Sequence, residues 1–385
     1  KNMVRGFWIG WPGVYPQNEQ EQHEITKLLK EYDCIPVFFE EEIIEQYLYF
    51  HENVLRPLFH NFKGLNDFES QLAKQELWQN YNYVNQVFAN FILDSKQENE
   101  MIWIHDNYLL LTPTYIKRHD RNASIGFFMH SPFPSSDIYK MFPYRQEVLK
   151  SLLLCDLIGF HIFDYARNFY TACRRILGLN HYFKVGGFLM IECFGRNVML
   201  RISHIGVQLE DLYSCLQTDL SQNFKTHILQ VANKPIVISS IDRLHPISGL
   251  KNKLLAFQRF LREYPNMRQK VCLVQYMVPS DCPKCQNEHK SHQMINQTRQ
   301  QILKIIQEIK EEYGADKVHY YEQDLSVEER IGLWAATNIL LITTLRDGQC
   351  LPPQEFVAIK KFLDLKNKSA VILSEFSGCN RALGG

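Results

Sequence analysis

Short apolar runs alternate with stretches of helical spacing along the whole chain, and this pattern predicts two successive α/β units. The first unit begins with apolar runs typical of strands. From about Val207 the pattern restarts with a predicted helix over Glu210–Leu229 and a predicted strand over Pro235–Ser240. Strands that alternate with helices favour parallel sheets. The predicted strands of the first unit are Met3–Gly10, Cys34–Phe39, Met101–His105 and Leu157–Phe160.

The stretch after Asn338 carries the first indication of a ligand site. Ile339–Thr344 is apolar and β-branched, which predicts a buried parallel strand. A turn follows, and Pro352-Pro353 then open a helix, where a missing N–H costs nothing. Ligands bind beyond the carboxyl ends of strands in open α/β sheets, so Asp347 and Glu355 would lie in a nucleotide or phosphosugar pocket. The alternative is an ordinary turn without a ligand.

Composition narrows the class of protein. The 385 residues are 45% hydrophobic and carry 42 basic and 42 acidic residues, so a nucleic-acid partner is not expected. We see no membrane-spanning apolar run and no leader, and the ten cysteines suggest reduced thiols, so we expect a cytoplasmic protein. One charged cluster is typical of a solvated loop or helix end; its members are Lys360, Lys361, Asp364, Lys366 and Lys368.

Longer strings connect these patterns to a known family. Residues 345–358, LRDGQCLPPQEFVA, resemble the LRDGMNLVAKEFVA segment of the trehalose-6-phosphate synthase family, glycosyltransferase family 20. Residues 124–136, SIGFFMHSPFPSS, are similar to its IGFFLHIPFPSS, and residues 238–250, ISSIDRLHPISGL, are similar to its VDRLDYIKGI. Residues 194–207, FGRNVMLRISHIGV, resemble YGRTVSIKILPVGI of the plant and protist branch, whose members carry a downstream phosphatase-like domain.

The resemblance implies a glycosyltransferase B fold, with two Rossmann-like doubly wound domains facing across a cleft. We expect residues 1–207 to form the acceptor-side domain and residues 208–385 the UDP-sugar-side domain. Family members have a first strand and a glycine-rich loop before the point where this chain begins. The chain is therefore expected to be either a fragment or a form that lacks this loop, and no phosphatase-like domain is found in it.

Several candidate donor-site residues follow from the resemblance. In the family an arginine and a lysine, five residues apart, hold the leaving diphosphate, on which negative charge grows. Arg243 matches the arginine, but Ser248 stands at the lysine position, and Cys350 replaces an asparagine beside the diphosphate. The remaining donor-site candidates match the family: Asp347 for the glucose hydroxyls, Glu355 for the uridine ribose, and Leu351 next to Cys350.

The acceptor side shows the same mixture of matches and departures. Asp106 matches an aspartate that orients acceptor hydroxyls, and His130 a histidine that hydrogen-bonds the transferred glucose; with Arg243 they are the candidate catalytic residues. Trp78 matches an acceptor-binding tryptophan, although without the resemblance a core aromatic would be the favoured interpretation of Trp78. For His130 the alternative is a neutral histidine satisfied by backbone, which the long matching string disfavours. Two acceptor positions depart from the family: Asn61 stands for a tyrosine and Asp281 for a phosphate-binding arginine.

The resemblance predicts a retaining enzyme that transfers glucose from UDP-glucose to glucose 6-phosphate in trehalose biosynthesis, without a metal cofactor. The lost cations suggest a weak or non-catalytic domain with a regulatory or assembly role, since removing a transition-state donor costs about 10²- to 10³-fold in rate. The alternative is an active retaining glycosyltransferase with an altered acceptor. Expected partners are a nucleotide sugar, a sugar phosphate and other synthase-family subunits, in a homo- or hetero-oligomer, with no membrane or nucleic acid.

A cysteine and histidine stripe requires a separate interpretation. Cys282, Cys285, His289 and His292 are spaced by three, four and three residues, so all four would share one face of a helix. Cysteine and neutral histidine are preferred zinc ligands, but a straight helix spreads four ligands too far along its axis for one ion. An ordinary polar loop is therefore the favoured interpretation, and a structural zinc site is the alternative.

Overall fold

A computed structural model describes residues 6–61, 75–184, 188–279, 290–365 and 368–383 of the chain. The chain divides into two compact units, Lys1–Ser203 and His204–Gly385. Each unit contains its own parallel strands and its own hydrophobic core, with helices packed against its strands.

The first unit contains a six-stranded sheet with the order β3-β4-β5-β8-β7-β6, and a separate parallel pair, β1-β2. Strands β3, β4, β5 and β8 are parallel, and β8, β7 and β6 are antiparallel neighbours. The carboxyl ends of β3, β4 and β5 therefore lie side by side. The strands are β1 (Trp8–Gly10), β2 (Cys34–Pro36), β3 (Met101–His105), β4 (Ser124–Met129), β5 (Leu157–Phe160), β6 (His181–Lys184), β7 (Phe188–Cys193) and β8 (Arg196–Ile202).

Helices surround these strands because their apolar faces pack on one core that is rich in aromatic residues. The described helices are α1 (Glu19–Lys30), α2 (Glu41–Phe50), α3 (Arg56–His60), α4 (Gln75–Ser95), α5 (Thr112–His119), α6 (Ser136–Tyr139), α7 (Arg145–Leu152) and α8 (Phe163–Leu177), with a π-helical segment, His51–Leu55, between α2 and α3. The longest of them, α4, buries eight residues along one face.

The second unit contains a five-stranded, fully parallel sheet with the order β11-β10-β9-β12-β13. The chain moves outward from β9 in one direction and from β12 in the other, so the loops after β9 and β12 border a topological switch point, where such sheets bind ligands. The strands are β9 (Ile236–Arg243), β10 (Val271–Val278), β11 (Val318–Glu322), β12 (Ile339–Ile342) and β13 (Ala370–Leu373).

Helices cover both faces of this sheet, with a separate apolar cluster on each face. The described helices are α9 (Leu209–Leu216), α10 (Asp219–Ala232), α11 (Leu250–Glu263), α12 (Lys290–Tyr313), α13 (Val327–Ala336), α14 (Pro352–Phe362) and α15 (Gly378–Leu383), with 3₁₀ turns at Pro246–Ser248, Pro265–Met267 and Ala315–Lys317. The predicted opening of α14 at Pro352-Pro353 is confirmed.

Two details of the sequence prediction are wrong. The predicted single helix over Glu210–Leu229 is two helices, because Thr218 has extended backbone and its side chain accepts a hydrogen bond from the N–H of Ser221, which starts a new helix. Lys360, assigned to a solvated cluster, is only 4% exposed, and its ammonium group donates to the carbonyl of Ala335 at 3.0 Å. Its aliphatic stem belongs to the apolar side of α14.

Within the described ranges, every helix is too short or too polar to pass through a lipid bilayer.

Candidate functional site

Candidate residues gather at the carboxyl ends of parallel strands in both units. In the first unit they follow β3 and β4, and in the second unit they follow β9 and β12. These are the positions where parallel α/β sheets present side chains to ligands. The two groups are described separately below, beginning with the first unit.

Asp106 ties the end of β3 to the loop that follows β4. Its backbone lies in the left-handed region, with φ at 60°, a conformation that aspartate tolerates better than most residues. Its carboxylate accepts the backbone N–H of Ser131 at 2.9 Å and the Ser131 hydroxyl at 3.2 Å. Among the described residues each oxygen thus has one side-chain or backbone donor, and carboxylate oxygens accept about two each. Room therefore remains for ligand hydroxyl groups.

Three histidine rings line these strand ends. His105 Nδ1 and His130 Nε2 are 3.0 Å apart, and the His161 ring meets the His130 ring edge-on at 5.3 Å between centroids. Burial lowers the pKa of His130, although the charge of Asp106 opposes the shift, and burial together with His130 lowers the pKa of His105. Both rings are therefore neutral at physiological pH, so one ring nitrogen of the pair donates and the other accepts.

Helix α4 supports the loop after Asp106. The Tyr81 hydroxyl donates to the carbonyl of Asn107 at 2.8 Å and accepts the backbone N–H of Leu110 at 3.0 Å. The side-chain oxygen of Asn85 accepts the backbone N–H groups of Leu111 and Thr112 at 2.9 and 3.1 Å. The tyrosine and asparagine of this helix therefore hold backbone, which fixes the position of Asp106.

The acceptor candidates have different surroundings. Trp78 is 5% exposed and lies between two rings, stacked on Tyr144 at 4.0 Å and on Tyr81 at 5.4 Å between centroids. The described contacts thus match the core-aromatic interpretation of Trp78. Asn61 is exposed, directly after α3, with φ at 50°. Asp281 lies outside the described residues.

In the second unit, Arg243 is exposed at the end of β9. Its positive charge acts to lower the pKa of Asp347. Ser248 closes the 3₁₀ turn that follows, and its hydroxyl donates to the carbonyl of His245 at 2.7 Å. The hydroxyl proton of Ser248 is therefore already donated within its own turn. A hydroxyl in this position supplies neither the charge nor the reach of a lysine.

This turn is clamped against the loop after β12. Gly249 has φ at 69°, and a Cβ atom there would lie 2.1 Å from the carbonyl oxygen of Thr343, so only glycine fits. The backbone N–H of Leu345 donates to the carbonyl of Ile247 at 2.8 Å. The loops after β9 and β12 therefore form one continuous wall at the switch point.

Lys253 is a buried cation beneath this wall. Its side chain is fully buried, and its ammonium group contacts the Asp242 carboxylate at 2.5 Å and the Ser240 hydroxyl. The same carboxylate oxygen accepts the Gln275 amide at 2.9 Å. Burial lowers the pKa of Lys253, and the Asp242 charge opposes the shift. The network fixes the strand end next to Arg243, and Lys253 is not available to replace the missing lysine.

Asp347 is held by backbone on both sides. Its N–H donates to the carbonyl of Phe376 at 3.2 Å, and its carbonyl accepts the N–H of Gly378 at 3.2 Å. Burial raises the pKa of its carboxyl, and the Gly348 N–H, the Cys350 thiol and the Arg243 charge oppose the shift. An aspartate in this setting takes up a proton at higher pH than an exposed one.

Glu355 lies in the first turn of α14 and is 4% exposed. Arg330 holds both of its oxygens in a forked pair, with Nε and Nη2 each at 3.0 Å, and the Trp334 indole N–H donates to the same oxygen as Nε at 3.0 Å. Oε2 therefore accepts two bonds and Oε1 accepts one from the described residues. One acceptor position on Oε1 remains for a ligand.

The residues between Asp347 and Glu355 complete this wall. Leu351 is the residue that precedes α14, and the Cys350 thiol contacts Ser377 and Cys379. The amide oxygen and nitrogen of Gln349 are buried and have no hydrogen-bond partner among the described residues. Burying an unpaired amide is costly, so this side chain is a candidate contact for a polar ligand.

The described residues contain no group of three or more histidine, cysteine or acidic side chains that could hold a metal ion. The cysteine and histidine stripe is not part of that search: Cys282, Cys285 and His289 lie outside the described residues, as does the side chain of His292.

Sequence reasoning missed several residues that shape these clusters. His105 ends a strand and His161 directly follows one, as His130 does, so the strand ends themselves were a usable signal. Arg330, Trp334 and Lys253 are contributed by helices, and no local pattern connects them with Glu355 or Asp242.

A sequence model of glycosyltransferase family 20 matches residues 1–385. Alpha,alpha-trehalose-phosphate synthase (UDP-forming) 1 of Arabidopsis thaliana is 36% identical over 388 residues, which cover 98% of this chain and 39% of that protein. The 56 kDa subunit of the Saccharomyces cerevisiae synthase is 33% identical over 387 residues, 98% of this chain and 74% of that protein. The chain thus spans about two fifths of the plant relative, which fits the predicted plant-type branch.

A solved Candida albicans trehalose-6-phosphate phosphatase N-terminal domain has a TM-score of 0.81 at 28% identity, covering 95% of this chain and 76% of that chain. A solved trehalose-6-phosphate synthase, OtsA, has a TM-score of 0.81 at 23% identity, covering 98% of this chain and 79% of that chain, and an E. coli structure bound with UDP-2-fluoro glucose has a TM-score of 0.80 at 21% identity, covering 99% and 86%; this likeness shows the fold alone. The predicted glycosyltransferase B fold with Rossmann-like units is confirmed.

Proposed function

Because the chain belongs to glycosyltransferase family 20, we propose that it is a trehalose-6-phosphate synthase-like domain that binds UDP-glucose but transfers glucose to glucose 6-phosphate only weakly. Its main role is then regulatory or structural within an assembly. The observation that carries this proposal is Ser248, whose hydroxyl is committed to the carbonyl of His245 where the resemblance calls for a lysine.

The donor contacts have a physical basis in the second unit. Arg243 would stabilise the negative charge that grows on the departing diphosphate, and Asp347 would accept hydrogen bonds from glucose hydroxyls. The open acceptor position on Glu355 Oε1 suits one ribose hydroxyl, while Arg330 and Trp334 hold the carboxylate in place. The unpartnered Gln349 amide adds a further polar contact for the donor.

The first unit would supply the sugar contacts. A neutral His130 would hydrogen-bond the transferred glucose, with His105 fixing its ring through the 3.0 Å contact. The open acceptor positions on Asp106 would orient hydroxyls of the acceptor, and Trp78 would close that side by packing. None of these contacts replaces the lost cation, because all of them act on uncharged groups.

Three further parts of the proposal concern the setting of the domain. We propose that it works in the cytoplasm, needs no metal ion and associates with itself or with other synthase-family subunits. The yeast relative is named as a subunit, which supports the proposal of an assembly. The Candida relative is named as a phosphatase domain, which supports the idea that this fold also serves in proteins named for another activity.

The test is a UDP-release assay with saturating UDP-glucose, run with glucose 6-phosphate and, in parallel, with neutral sugars. The proposal predicts slow release with glucose 6-phosphate that is unchanged by a metal chelator. Fast release with glucose 6-phosphate contradicts weak catalysis. Fast release with a neutral sugar instead supports the alternative, an active glycosyltransferase with an altered acceptor, which Asp281 would suit because a carboxylate repels a phosphate.

A further inference from the structure

Two cysteine thiols touch at the junction of the donor loop and the last described helix. Cys350 follows the Asp347 turn, and Cys379 lies in the first turn of α15. Their sulfur atoms are 3.4 Å apart, and the Cys379 thiol also donates to the backbone carbonyl of Cys350. Among the described cysteines, this is the one pair in hydrogen-bonding contact with each other.

The backbone already holds the two thiols together. Asp347 exchanges hydrogen bonds with Phe376 and Gly378, one on each side of Ser377. The approach is so close that a Cβ atom on Gly378 would lie 1.8 Å from the carbonyl oxygen of Gly348. A disulfide needs about 2.05 Å between sulfurs, so a shift of little more than an ångström closes the bond.

The two thiols differ in access and acidity. Cys350 is partly buried, whereas Cys379 is fully buried, so a reagent in solution reaches Cys350 first. The hydrogen bond from Cys350 lowers the pKa of Cys379, and the contact with Cys379 and burial raise the pKa of Cys350. Cys379 is therefore the thiol that forms a thiolate more easily, which suits it for the second, internal step.

We propose that Cys350 and Cys379 are a redox-sensitive dithiol that closes reversibly to a disulfide and thereby weakens binding at the donor pocket. The oxidant is a low-molecular-mass disulfide. The Cys350 sulfur attacks one of its sulfurs while its proton passes across the 3.4 Å contact to the Cys379 thiolate. The first small thiol leaves as a thiolate and takes up that proton, which restores the Cys379 thiolate. The Cys379 thiolate then attacks Cys350 Sγ, and the second small thiol leaves. One small disulfide is reduced to two thiols while the protein dithiol is oxidised to one disulfide.

The link to the donor pocket runs through Asp347. Cys350 lies three residues after Asp347 in the same loop, and the Asp347 backbone exchanges hydrogen bonds with Phe376 and with Gly378, the neighbour of Cys379. Closing the disulfide draws Cys350 toward α15 and so shifts the loop that carries the Asp347 carboxylate. Asp347 is the proposed glucose contact, so this consequence rests on the proposed function, whereas formation of the disulfide does not.

The first test maps the bond in the intact chain. The protein is equilibrated in glutathione buffers of increasing oxidising strength, quenched with acid, alkylated and digested with trypsin. The proposal predicts that the peptides of residues 347–360 and 369–381 become cross-linked, and that dithiothreitol separates them again. Separately alkylated peptides in the most oxidising buffer would overturn it, as would glutathione retained on Cys350 alone.

Matched variants separate this pair from the other cysteines. Cys379→Ser is expected to abolish the cross-link and leave Cys350 with bound glutathione, while Cys215→Ser, a partly buried cysteine of the same unit, is expected to behave as wild type. Phenylarsine oxide provides a test on the unmodified chain, because trivalent arsenic binds adjacent thiol pairs. Failure of the reduced Cys350–Cys379 pair to capture it would contradict the proposal.

The second test compares UDP-glucose affinity in the reduced and the cross-linked protein. The proposal predicts affinity at least about tenfold weaker after cross-linking, the loss of roughly one hydrogen bond to a charged group. Equal affinities would overturn control of the pocket by the disulfide. If the reduced protein does not bind UDP-glucose at all while the cross-link still forms, the proposed function is wrong, but the proposal that Cys350 and Cys379 form a reversible disulfide still stands.

Discussion

The strand-end clusters of the two units differ in what they retain. In the first unit, Asp106 and His130 keep the family residues and have well-formed hydrogen bonds. In the second unit, Asp347 and Glu355 are kept and firmly held, but Ser248 and Cys350 stand where the resemblance calls for a lysine and an asparagine. The residues suited to bind hydroxyl groups are retained, whereas fewer of the residues suited to bind phosphate are retained.

This difference separates two kinds of recognition. A hydroxyl is recognised by an oriented neutral or acidic acceptor, and such acceptors here also support the fold, as Glu355 does with Arg330 and Trp334. A diphosphate needs cations that point into the pocket and have no other partner. Lys253 is a cation of the other kind: it is buried beneath the pocket wall and forms an ion pair with Asp242. Under the proposed function, binding of the sugar and nucleoside is therefore retained while catalysis is weakened.

The largest expected effect comes from restoring the cations. Ser248→Lys with Asp281→Arg is expected to raise the rate of UDP release with glucose 6-phosphate by about 10²-fold, because a transition-state cation is worth that much or more. The two single variants and Ser248→Ala serve as controls in the same assay. A rate no higher than wild type in the double variant would show that these positions do not limit turnover.

A second change tests the support beneath the clamp. Lys253→Met is expected to lower the free energy of unfolding by about 3 kcal/mol, because it leaves the buried Asp242 carboxylate without its cation. Adding Asp242→Asn should recover part of the loss, since no charge then remains unpaired. Urea unfolding of both variants measures the effect. Equal stability of wild type and Lys253→Met would contradict the described network.

A third change tests the remaining cation. Arg243→Ala is expected to weaken UDP binding about 30-fold, which lies within the range for loss of a hydrogen bond to a charged group, and to leave uridine binding unchanged. Lys251→Ala, an exposed lysine in the first turn of α11, is the matched control. Equal loss in the two variants would indicate a general charge effect without a specific role for Arg243.

The smallest effect concerns pH. Burial raises the pKa of Asp347, so lowering the pH protonates this carboxyl earlier than an exposed one, and the affinity for UDP-glucose should begin to fall above the pH at which an ordinary aspartate titrates. Burial lowers the pKa of His105 and of His130, so both rings stay neutral to a lower pH than an ordinary histidine. Calorimetry on Asp347→Asn should give weaker binding without this pH dependence; an unchanged slope would assign it to another group.

The strands, their order along the chain and the position of the pocket were predictable because they depend on local patterns. The run at Ile339–Thr344 and the proline opening of α14 are examples, as β12 and α14 show. The long matching strings also placed Asp106, His130 and Asp347 after strands and Glu355 in the helix that follows Asp347. Local pattern and long motif agree at all of these residues.

The rest depends on contacts between distant residues. Cys350 and Cys379 are 29 residues apart and meet only because the loops after β12 and β13 lie side by side. Lys253 and Lys360 look like surface charges in the sequence, yet tertiary packing buries both and gives each a partner. The helix break at Thr218 depends on one capping hydrogen bond within an otherwise continuous helical pattern.

The most direct test of a retained donor pocket with a weakened phosphate clamp is calorimetric titration of UDP-glucose, and separately of UDP, into the purified chain. The account predicts micromolar binding of UDP-glucose, carried by Asp347, Glu355 and Arg243. Absence of binding of both ligands up to millimolar concentration would contradict it and make the donor pocket vestigial.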